Sequence, residues 1–462
     1  MESCDVLLTY EIKNRELENL CLIKRELERR GYRVLMRMQY KTFFQNPEPI
    51  EAKLVAVPAY YRPRAQFYTA SHTVRTERVV NMLWEQVFNA SDEENPDFVS
   101  SVKPWGRDAV HLAWGPKMKE RLVREWGVEQ DHACVTGHLA LDFLRGPLRR
   151  YYDDRKMLFT RYGIPENKRV HLFISSLSIA DLGTRVLKSF SMSKDQSGIL
   201  LMVKITAETR RILLDWFERI LEENPDDIII YRPHPEESTV QALLNLAERQ
   251  PRFRVIAQES VKQWILTCDK IYNWFSTSLA EVYAAGKGCA ILRPVELPYL
   301  QDIKMFHDAK HIKTYEAFRE EFLSQEQTHS VPEERLKEYY YFDETRYSYS
   351  LVCDVIERAM QDDRFLLDAP MTNPFAGGIF NAERIKNLIK RTIAASALME
   401  KISHSNILQG TKFRELLDNV FYVKEKLAKN SASDEEIRAI IHRIDEAFAN
   451  TEESPQASWK KE

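Results

Sequence analysis

The sequence predicts an α/β protein with two units of parallel sheet and a helical extension at its C-terminal end. Short apolar runs typical of buried strands alternate with helical segments up to about residue 146, and the same alternation starts again after Gly146-Pro147. Beyond residue 370 only helical patterns recur. Because 462 residues exceed what one hydrophobic core normally supports, we expect a first domain over residues 1–146, a second over 147–369 and a helical extension over 370–462.

The composition is that of a globular protein with little net charge. Hydrophobic residues make up 44% and charged residues 29%, and 66 Lys+Arg against 69 Asp+Glu leave a net charge of −3. No overall positive field draws nucleic acid to the chain, so we predict no nucleic-acid partner. No apolar run reaches the ~20 residues of a membrane helix, and the first residues lack the pattern of a signal peptide. We expect a soluble, cytoplasmic protein.

Cysteine and glycine usage bears on metals and cofactors. The six cysteines are scattered, without a CxxC pair or a His/Cys cluster at ligand spacing, which predicts reduced thiols and no metal site. No GxGxxG follows the first predicted strand over residues 5–10, so we assign no dinucleotide site there. We therefore predict neither a metal nor a cofactor.

In the first unit, Trp84-Glu85-Gln86 stands out because it ends a stretch rich in polar and aromatic groups. A glutamate between a tryptophan and a glutamine is a candidate general base in a cleft, since apolar walls raise the pKa of a carboxyl group toward neutrality. The alternative is an amphipathic helix in which Glu85 points to solvent.

The second unit is organised around the stretch Asp-Asp-Ile-Ile-Ile-Tyr-Arg-Pro-His-Pro-Glu-Glu, residues 226–237. Its apolar first half predicts a strand buried on both faces. The two prolines end that strand and present Arg232 and His234 at its carboxyl end, where open α/β sheets bind ligands. An arginine and a histidine there suit an anion such as phosphate, although a charged turn with a solvated histidine is the alternative.

Hydroxyl residues follow two other predicted strands of this unit. Ser175 and Ser176 follow the strand over residues 169–174. The stretch Ser276-Thr277-Ser278, with Glu281 after it, opens a helix that follows the strand over residues 269–275. Free N–H groups at a helix start receive anions, but the same residues are common as plain turns and caps. We expect this second loop and the His234 loop to face one crevice. Thr206 is predicted to cap a helix over residues 207–223.

Two tandem α/β units with Arg232-Pro233-His234-Pro235 and Ser276-Thr277-Ser278 resemble the GT-B glycosyltransferases. Within that group the chain resembles bacterial capsule and surface-polysaccharide enzymes: the His-Pro Kdo and sialic-acid transferases that use CMP-sugars, and the teichoic-acid polymerases that use CDP-glycerol. The resemblance covers residues 5–293 and includes Glu281 and Trp84-Glu85-Gln86. It implies two Rossmann-like domains facing a cleft, the first for the acceptor and the second for the donor.

The resemblance also implies the partners and the donor-binding residues. His234, Ser276 and Ser278 would hold the phosphate and cytidine of a nucleotide-sugar, with a CMP-linked sugar such as Kdo or a sialic-acid-like sugar as the expected donor. The acceptor would be a glycan or lipid-linked glycan. The chain lacks an obvious basic amphipathic membrane segment, unlike the CDP-glycerol enzymes, so we expect at most peripheral contact with a membrane-bound assembly complex at the inner face of the membrane.

A glycosyl transfer needs a carboxylate to take the acceptor proton or to act as a nucleophile. Glu85 is the first candidate for the base, Asp181 is the second because it follows the Ser175 loop on the donor side, and Glu11 after the first strand is the third. Two rivals remain open: a sugar-nucleotide epimerase of the same architecture, and a non-catalytic scaffold of a polysaccharide assembly complex.

Overall fold

The computed structural model describes residues 2–39, 50–60, 74–98, 100–181, 196–235, 237, 240–343, 345–368, 382–403, 405 and 409–449. Contacts group the chain into two compact units. The first unit contains Met1–Gln86, Pro96–Leu139 and Tyr341–Asp445. The second contains Val87–Asn95, Ala140–Tyr340 and Glu446–Glu462.

The first unit is built on a parallel sheet of seven strands. These strands are β1 (Glu2–Tyr10), β2 (Val34–Met38), β3 (Ile50–Val57), β4 (Val74–Arg75), β5 (Val79–Asn81), β6 (Val110–Ala113) and β7 (Ala133–Val135). Their order is β2-β1-β3-β5-β6-β7, and β4 also pairs with β3. The direction of strand addition reverses between β1 and β3, so this is the topological switch point of the sheet, outside whose carboxyl ends ligands bind in such folds.

The second unit carries a parallel sheet of six strands. They are β8 (Arg169–Ile174), β9 (Asp227–Arg232), β10 (Phe253–Val255), β11 (Lys270–Asn273), β12 (Ala290–Leu292) and β13 (His311–Ile312). The order β10-β9-β8-β11-β12-β13 places the switch point between β8 and β11. The central strands are buried along almost their whole length, which is why they appear in the sequence as unbroken apolar runs.

The α-helices, named in chain order, cover the faces of the two sheets or follow them in sequence. They are α1 (Lys13–Arg29), α2 (Ala90–Glu93), α3 (Pro116–Glu120), α4 (Arg155–Arg161), α5 (Gln196–Glu223), α6 (Gln241–Arg249), α7 (Val261–Thr267), α8 (Leu279–Ala284), α9 (Tyr315–Leu323), α10 (Glu333–Tyr339), α11 (Ser348–Gln361), α12 (Ala382–Ala395), α13 (Ala397–Ser403), α14 (Lys412–Asn430) and α15 (Asp434–Ala449).

The predicted α/β class is confirmed: two doubly wound parallel sheets precede a helical C-terminal region. The predicted cap at Thr206 is wrong. Helix α5 already begins at Gln196, and the Thr206 hydroxyl donates to the carbonyl of Met202 at 2.6 Å inside the helix. Because a threonine can bond back to the preceding turn, its presence alone does not mark a helix start.

The C-terminal helices contact the N-terminal elements of the first unit. The backbone N–H of Lys13 donates to the Asn430 side chain at 2.9 Å, and the backbone N–H of Ala432 donates to the Tyr10 hydroxyl at 3.0 Å. Contact grouping therefore places residues up to Asp445 with the first unit, across the predicted boundary at residue 369. The division into the segments 1–146, 147–369 and 370–462 as independent domains stays a prediction. Within the described residues, no helix combines the length and the apolar character of a membrane span.

Candidate functional site

His234 lies directly after the carboxyl end of β9, between Pro233 and Pro235, as the sequence predicts. The residue is half-buried. Its backbone N–H donates to Oε2 of Glu237 at 3.2 Å, and its carbonyl accepts the N–H of Glu237 at 2.8 Å. We call Arg232, Pro233, His234, Pro235 and Glu237 the His234 turn. Both backbone polar groups of His234 are thus satisfied by a single residue.

The carboxylate of Glu237 is completely buried and is surrounded by donors. The Tyr231 hydroxyl donates to Oε1 at 2.5 Å, and the Ser175 hydroxyl donates to Oε2 at 2.6 Å. Nη2 of Arg210, on α5, lies 3.6 Å from Oε1 and donates to the Leu177 carbonyl at 2.8 Å. Burial, together with the nearby charge of Glu237, holds the pKa of Tyr231 well above its ordinary value, so the phenol remains a donor.

Arg232 is placed at the same edge, but its guanidinium binds the protein itself. Nη1 donates to the carbonyls of Ala257 and Gln258, both at 2.9 Å, and Nη2 donates to the carbonyl of Glu259 at 2.5 Å. Glu259 has a φ of 65°, a left-handed conformation that costs energy for a residue with a side chain. Arg232 therefore stabilises the loop after β10. Burial lowers the pKa of Arg232 to about 10, and the negative charge of Glu281 opposes this shift.

Ser276 begins a tight turn directly after β11. The buried amide of Asn273 closes this turn, because its Oδ1 accepts the Ser276 N–H at 2.7 Å and its Nδ2 donates to the Ser276 carbonyl at 2.5 Å. The Ser276 hydroxyl accepts the N–H of Ser278 at 3.2 Å and keeps its own proton for donation. Thr277 is exposed, and Glu281 lies half-buried in the first turn of α8. We call residues 273–278 the Ser276 turn.

The loop after β8 lies between these two turns in the sheet order. Ser175 is buried, and its hydroxyl is engaged with Glu237, as described above. The hydroxyl of Ser176 is buried as well and has no hydrogen-bond partner among the described residues. Asp181 is the last residue of the 3₁₀ turn Leu177–Asp181, and its side chain falls outside the described part of the chain. The predicted roles of all three residues stay predictions.

The strand order sets the separation of the two turns. β9 and β11 both pair with β8, so His234 and Ser276 follow strands that are two positions apart at one sheet edge. Neighbouring strands are about 4.8 Å apart, which puts the two strand ends roughly 10 Å apart. A nucleoside monophosphate can extend across this distance. The expectation that the His234 turn and the Ser276 turn face one crevice stays a prediction.

In the first unit, Glu85 does not lie against an apolar wall. Its side chain is 63% exposed, and Oε1 pairs with Nη1 of Arg15 at 2.7 Å. Trp84 and Gln86 point inward instead, and both are buried. The segment around Glu85 is not helical, so the expected amphipathic helix is wrong. The expected apolar wall around the Glu85 carboxylate is wrong as well, because the side chain faces solvent. The solvent-facing orientation, which belonged to the helix alternative, is confirmed.

The backbone that carries Glu85 is held in an unusual conformation. Leu83 has a φ of 50°, which is rare for a bulky side chain. Its N–H donates to Oδ1 of Asn81 at 3.2 Å, and its carbonyl accepts from Nε2 of Gln86 at 2.9 Å. Oε1 of Gln86 also accepts the N–H of Trp114 at 2.7 Å. These bonds fix the segment after β5 against β6.

The structure brings two predicted carboxylates into one charged cluster through Glu16. The Glu16 side chain is fully buried in the first turn of α1, where Oε1 accepts from Nη2 of Arg15 at 2.7 Å and Oε2 accepts the Glu11 N–H at 2.7 Å. The Glu11 carboxylate pairs with the ammonium group of Lys426. Burial raises the pKa of Glu16, although Arg15 opposes the shift. Glu11 and Glu85 thus lie at the carboxyl ends of β1 and β5, around Arg15 and Glu16.

Sequence reasoning missed Glu237 and Glu16. Glu237 ends the stretch over residues 226–237, and a glutamate three residues after His234 can reach back to that residue's N–H. The sequence feature that could have identified Glu16 is its position as a carboxylate in the first turn of a helix that follows a buried strand. Among the described residues, no group of three or more potential metal ligands is found.

Comparisons with known proteins give only remote similarities. No protein-family model matches the sequence, and no curated protein matches it. The wall teichoic acid polymerase TagF is 11% identical, with 77% of this chain and 88% of that chain covered and a TM-score of 0.46. A UDP-N-acetylglucosamine 2-epimerase is 13% identical, with coverages of 78% and 96% and a TM-score of 0.44. S. aureus MnaA, solved with UDP, is 12% identical, with coverages of 85% and 97% and a TM-score of 0.40. The two-unit α/β architecture of this chain is established by its own strand order.

Proposed function

We propose that this chain is a glycosyltransferase of surface-polysaccharide assembly that transfers a sugar from a nucleotide-activated donor to a glycan hydroxyl. A CMP-linked donor is the best candidate. In this proposal, the carboxyl edge of the second sheet binds the nucleotide, and the carboxyl edge of the first sheet supplies the acceptor side.

The observation that carries the proposal is the placement of His234 and the Ser276 turn on either side of the β8–β11 switch point. Ligands of doubly wound sheets bind at this position. His234 offers a half-buried imidazole at one end, and the Ser276 hydroxyl offers a donor at the other. A separation of roughly 10 Å between the two strand ends suits a nucleoside monophosphate.

His234 and Ser276 would then bind the donor by hydrogen bonds to its phosphate and nucleoside. As the glycosidic bond breaks, negative charge grows on the phosphate, and a hydrogen-bond donor such as the His234 imidazole stabilises that charge. On the acceptor side, Glu85 would take the proton of the attacking hydroxyl. Its exposure leaves room for a glycan, and Arg15 holds its carboxylate in place.

The test starts with a panel of nucleotides. Thermal unfolding of the full chain with CMP, CDP, UDP and GDP should show stabilisation by the cognate nucleotide. His234→Ala should weaken that binding about tenfold or more, because a charge-assisted hydrogen bond contributes roughly 1.5–3 kcal/mol. The matched control is His442→Ala, at an exposed position on α15.

Product analysis then separates the proposed transferase from its rivals. Incubation with a CMP-linked sugar and a glycan acceptor should release CMP and lengthen the glycan. Interconversion of a sugar-nucleotide without any acceptor would identify an epimerase. Absence of stabilisation by every nucleotide in the panel would contradict the proposal and favour a scaffold.

A further inference from the structure

We infer that Glu237 is the positioning residue of the proposed donor site: its buried carboxylate fixes the backbone of His234 and so determines where the imidazole stands. This inference rests on the proposed function, since it concerns the same site. It adds a residue to which no role has been assigned, and it gives Ser175 a role different from ligand binding.

The first step of the argument is the hydrogen bonding of the His234 turn. Pro233 and Pro235 have no N–H group, so the N–H of His234 is the only backbone donor of these three residues. That donor goes to Oε2 of Glu237 at 3.2 Å. The carbonyl of His234 in turn accepts the N–H of Glu237 at 2.8 Å. The two residues therefore close the turn reciprocally, and the backbone of His234 cannot shift without breaking a bond to Glu237.

The second step is that Glu237 is itself held by three separate parts of the unit. Tyr231 reaches its carboxylate from β9, Ser175 from the end of β8, and Arg210 from α5. The two hydroxyl oxygens of Tyr231 and Ser175 also lie 2.8 Å apart. A fully buried carboxylate is costly unless donors surround it, and here they do. These contacts therefore fix the position of the His234 turn relative to the carboxyl ends of β8 and β9.

The third step concerns the choice of residue. Glutamine in place of Glu237 would keep the size of the side chain, but it would offer one acceptor oxygen and turn an NH₂ group toward the surrounding donors. The hydroxyls of Tyr231 and Ser175 would then compete with the His234 N–H for one oxygen. We therefore expect Glu237→Gln to loosen the His234 turn. The matched control is Glu248→Gln, because Glu248 is exposed on α6.

Hydrogen exchange at the His234 amide tests the positioning role without any ligand. The chain has 11 histidines, so labelling with ¹⁵N-histidine gives a small set of amide signals, and His234→Ala identifies the one of interest. In Glu237→Gln this amide should exchange at least about tenfold faster than in the wild type, since its acceptor is weakened. In Glu248→Gln its exchange rate should not change. An unchanged rate in Glu237→Gln would overturn the inference.

Binding of CMP provides the second measurement. Glu237→Gln should weaken CMP binding about tenfold, and the double variant with His234→Ala should bind no more weakly than His234→Ala alone, because Glu237 acts through His234. Losses that add in the double variant would overturn the inference. If His234→Ala leaves CMP affinity unchanged, the proposed donor site fails, and amide exchange still decides the positioning role. If Glu237→Gln does not fold, Tyr231→Phe removes one donor from the same carboxylate, and it should also speed His234 exchange; an unchanged rate there would likewise overturn the inference.

Discussion

Arg15 and Glu85 form an ion pair of 2.7 Å between residues that are 70 positions apart in the sequence. Arg15 belongs to the first turn of α1, after β1, and Glu85 follows β5. The same guanidinium binds the buried Glu16 at 2.7 Å. An exposed carboxylate is therefore held at the carboxyl edge of the first sheet by an arginine that is itself anchored in the protein.

Substitution of Glu85 tests its role as the base. If Glu85 takes the acceptor proton, Glu85→Gln should reduce turnover by roughly 10²–10⁴-fold. Because the side chain is 63% exposed, folding and CMP binding should be preserved. Steady-state kinetics together with a melting curve provide the measurement. Near-normal turnover in Glu85→Gln would show that Glu85 is not the catalytic base. A larger loss of turnover in Asp181→Asn would indicate that Asp181 is the catalytic carboxylate instead.

Substitution of Arg232 tests whether this residue stabilises the fold or binds the ligand. Lysine cannot reproduce the forked contacts with the carbonyls of Ala257, Gln258 and Glu259, so Arg232→Lys should lower the free energy of unfolding by about 1–3 kcal/mol. Urea unfolding measures this change. The control is Arg249→Lys, whose side chain is 58% exposed in its pair with Glu218. Unchanged stability with weaker nucleotide binding would show instead that Arg232 serves the ligand.

We expect the buried side chain of His111 to make the free energy of unfolding depend on pH. Its Nδ1 faces the amide of Asn81 at 3.0 Å, and its Nε2 lies 2.9 Å from the carbonyl of Gly106, which suits the neutral ring. Burial lowers its pKa from 6.5 to about 4. The unfolded chain therefore takes up this proton first as the pH falls. The contribution of His111 is complete above about pH 6.5 and is lost between about pH 6.5 and 4; it amounts to roughly 3 kcal/mol.

Urea unfolding between pH 7 and 4 checks this contribution. Replacement of His111 by Gln removes the titrating group, so the variant should lose less stability than the wild type over the same pH range. His171, whose pKa burial also lowers to about 4, remains in both proteins and affects them equally. Parallel pH profiles for wild type and His111→Gln would contradict the predicted contribution.

Truncation tests the place of the C-terminal helices. A chain that ends at residue 369 loses the ion pair of Lys13 with Glu436 at 2.7 Å and that of Arg25 with Asp445 at 2.5 Å. It also uncovers the buried hydroxyl of Tyr10. We therefore expect a lower melting temperature than for a control chain that ends at residue 449. Equal melting temperatures would establish residues 370–462 as an independent module.

Much of the fold can be predicted from the sequence because the parallel strands are buried on both faces. The run Ile228-Ile229-Ile230-Tyr231 has no polar position, and the structure places it inside β9 as predicted. The two prolines around His234 likewise predict the end of that strand. Such local signals do not depend on distant residues, which is why the strand and its end could be placed from the sequence.

The side-chain environments were harder to predict, because distant residues determine them. Trp84 and Gln86 suggested a cleft for Glu85, but the conformation of Leu83 and the bond from Trp114 to Gln86 turn both neighbours inward. The hydroxyl of Ser175 donates to Glu237, 62 residues further along the chain, and the sequence does not predict this contact. Contacts over such separations follow from the packing of β8 beside β9 and leave no periodic signal in the sequence.

A structure of the full chain with bound CMP tests the central claim most directly. The proposed function predicts the nucleotide at the carboxyl edge of the second sheet, with its phosphate within hydrogen-bond distance of the His234 imidazole and its nucleoside extending across the end of β8 toward the Ser276 turn. CMP bound at any other place on the chain, or no bound CMP at a concentration that saturates the thermal shift, would contradict it.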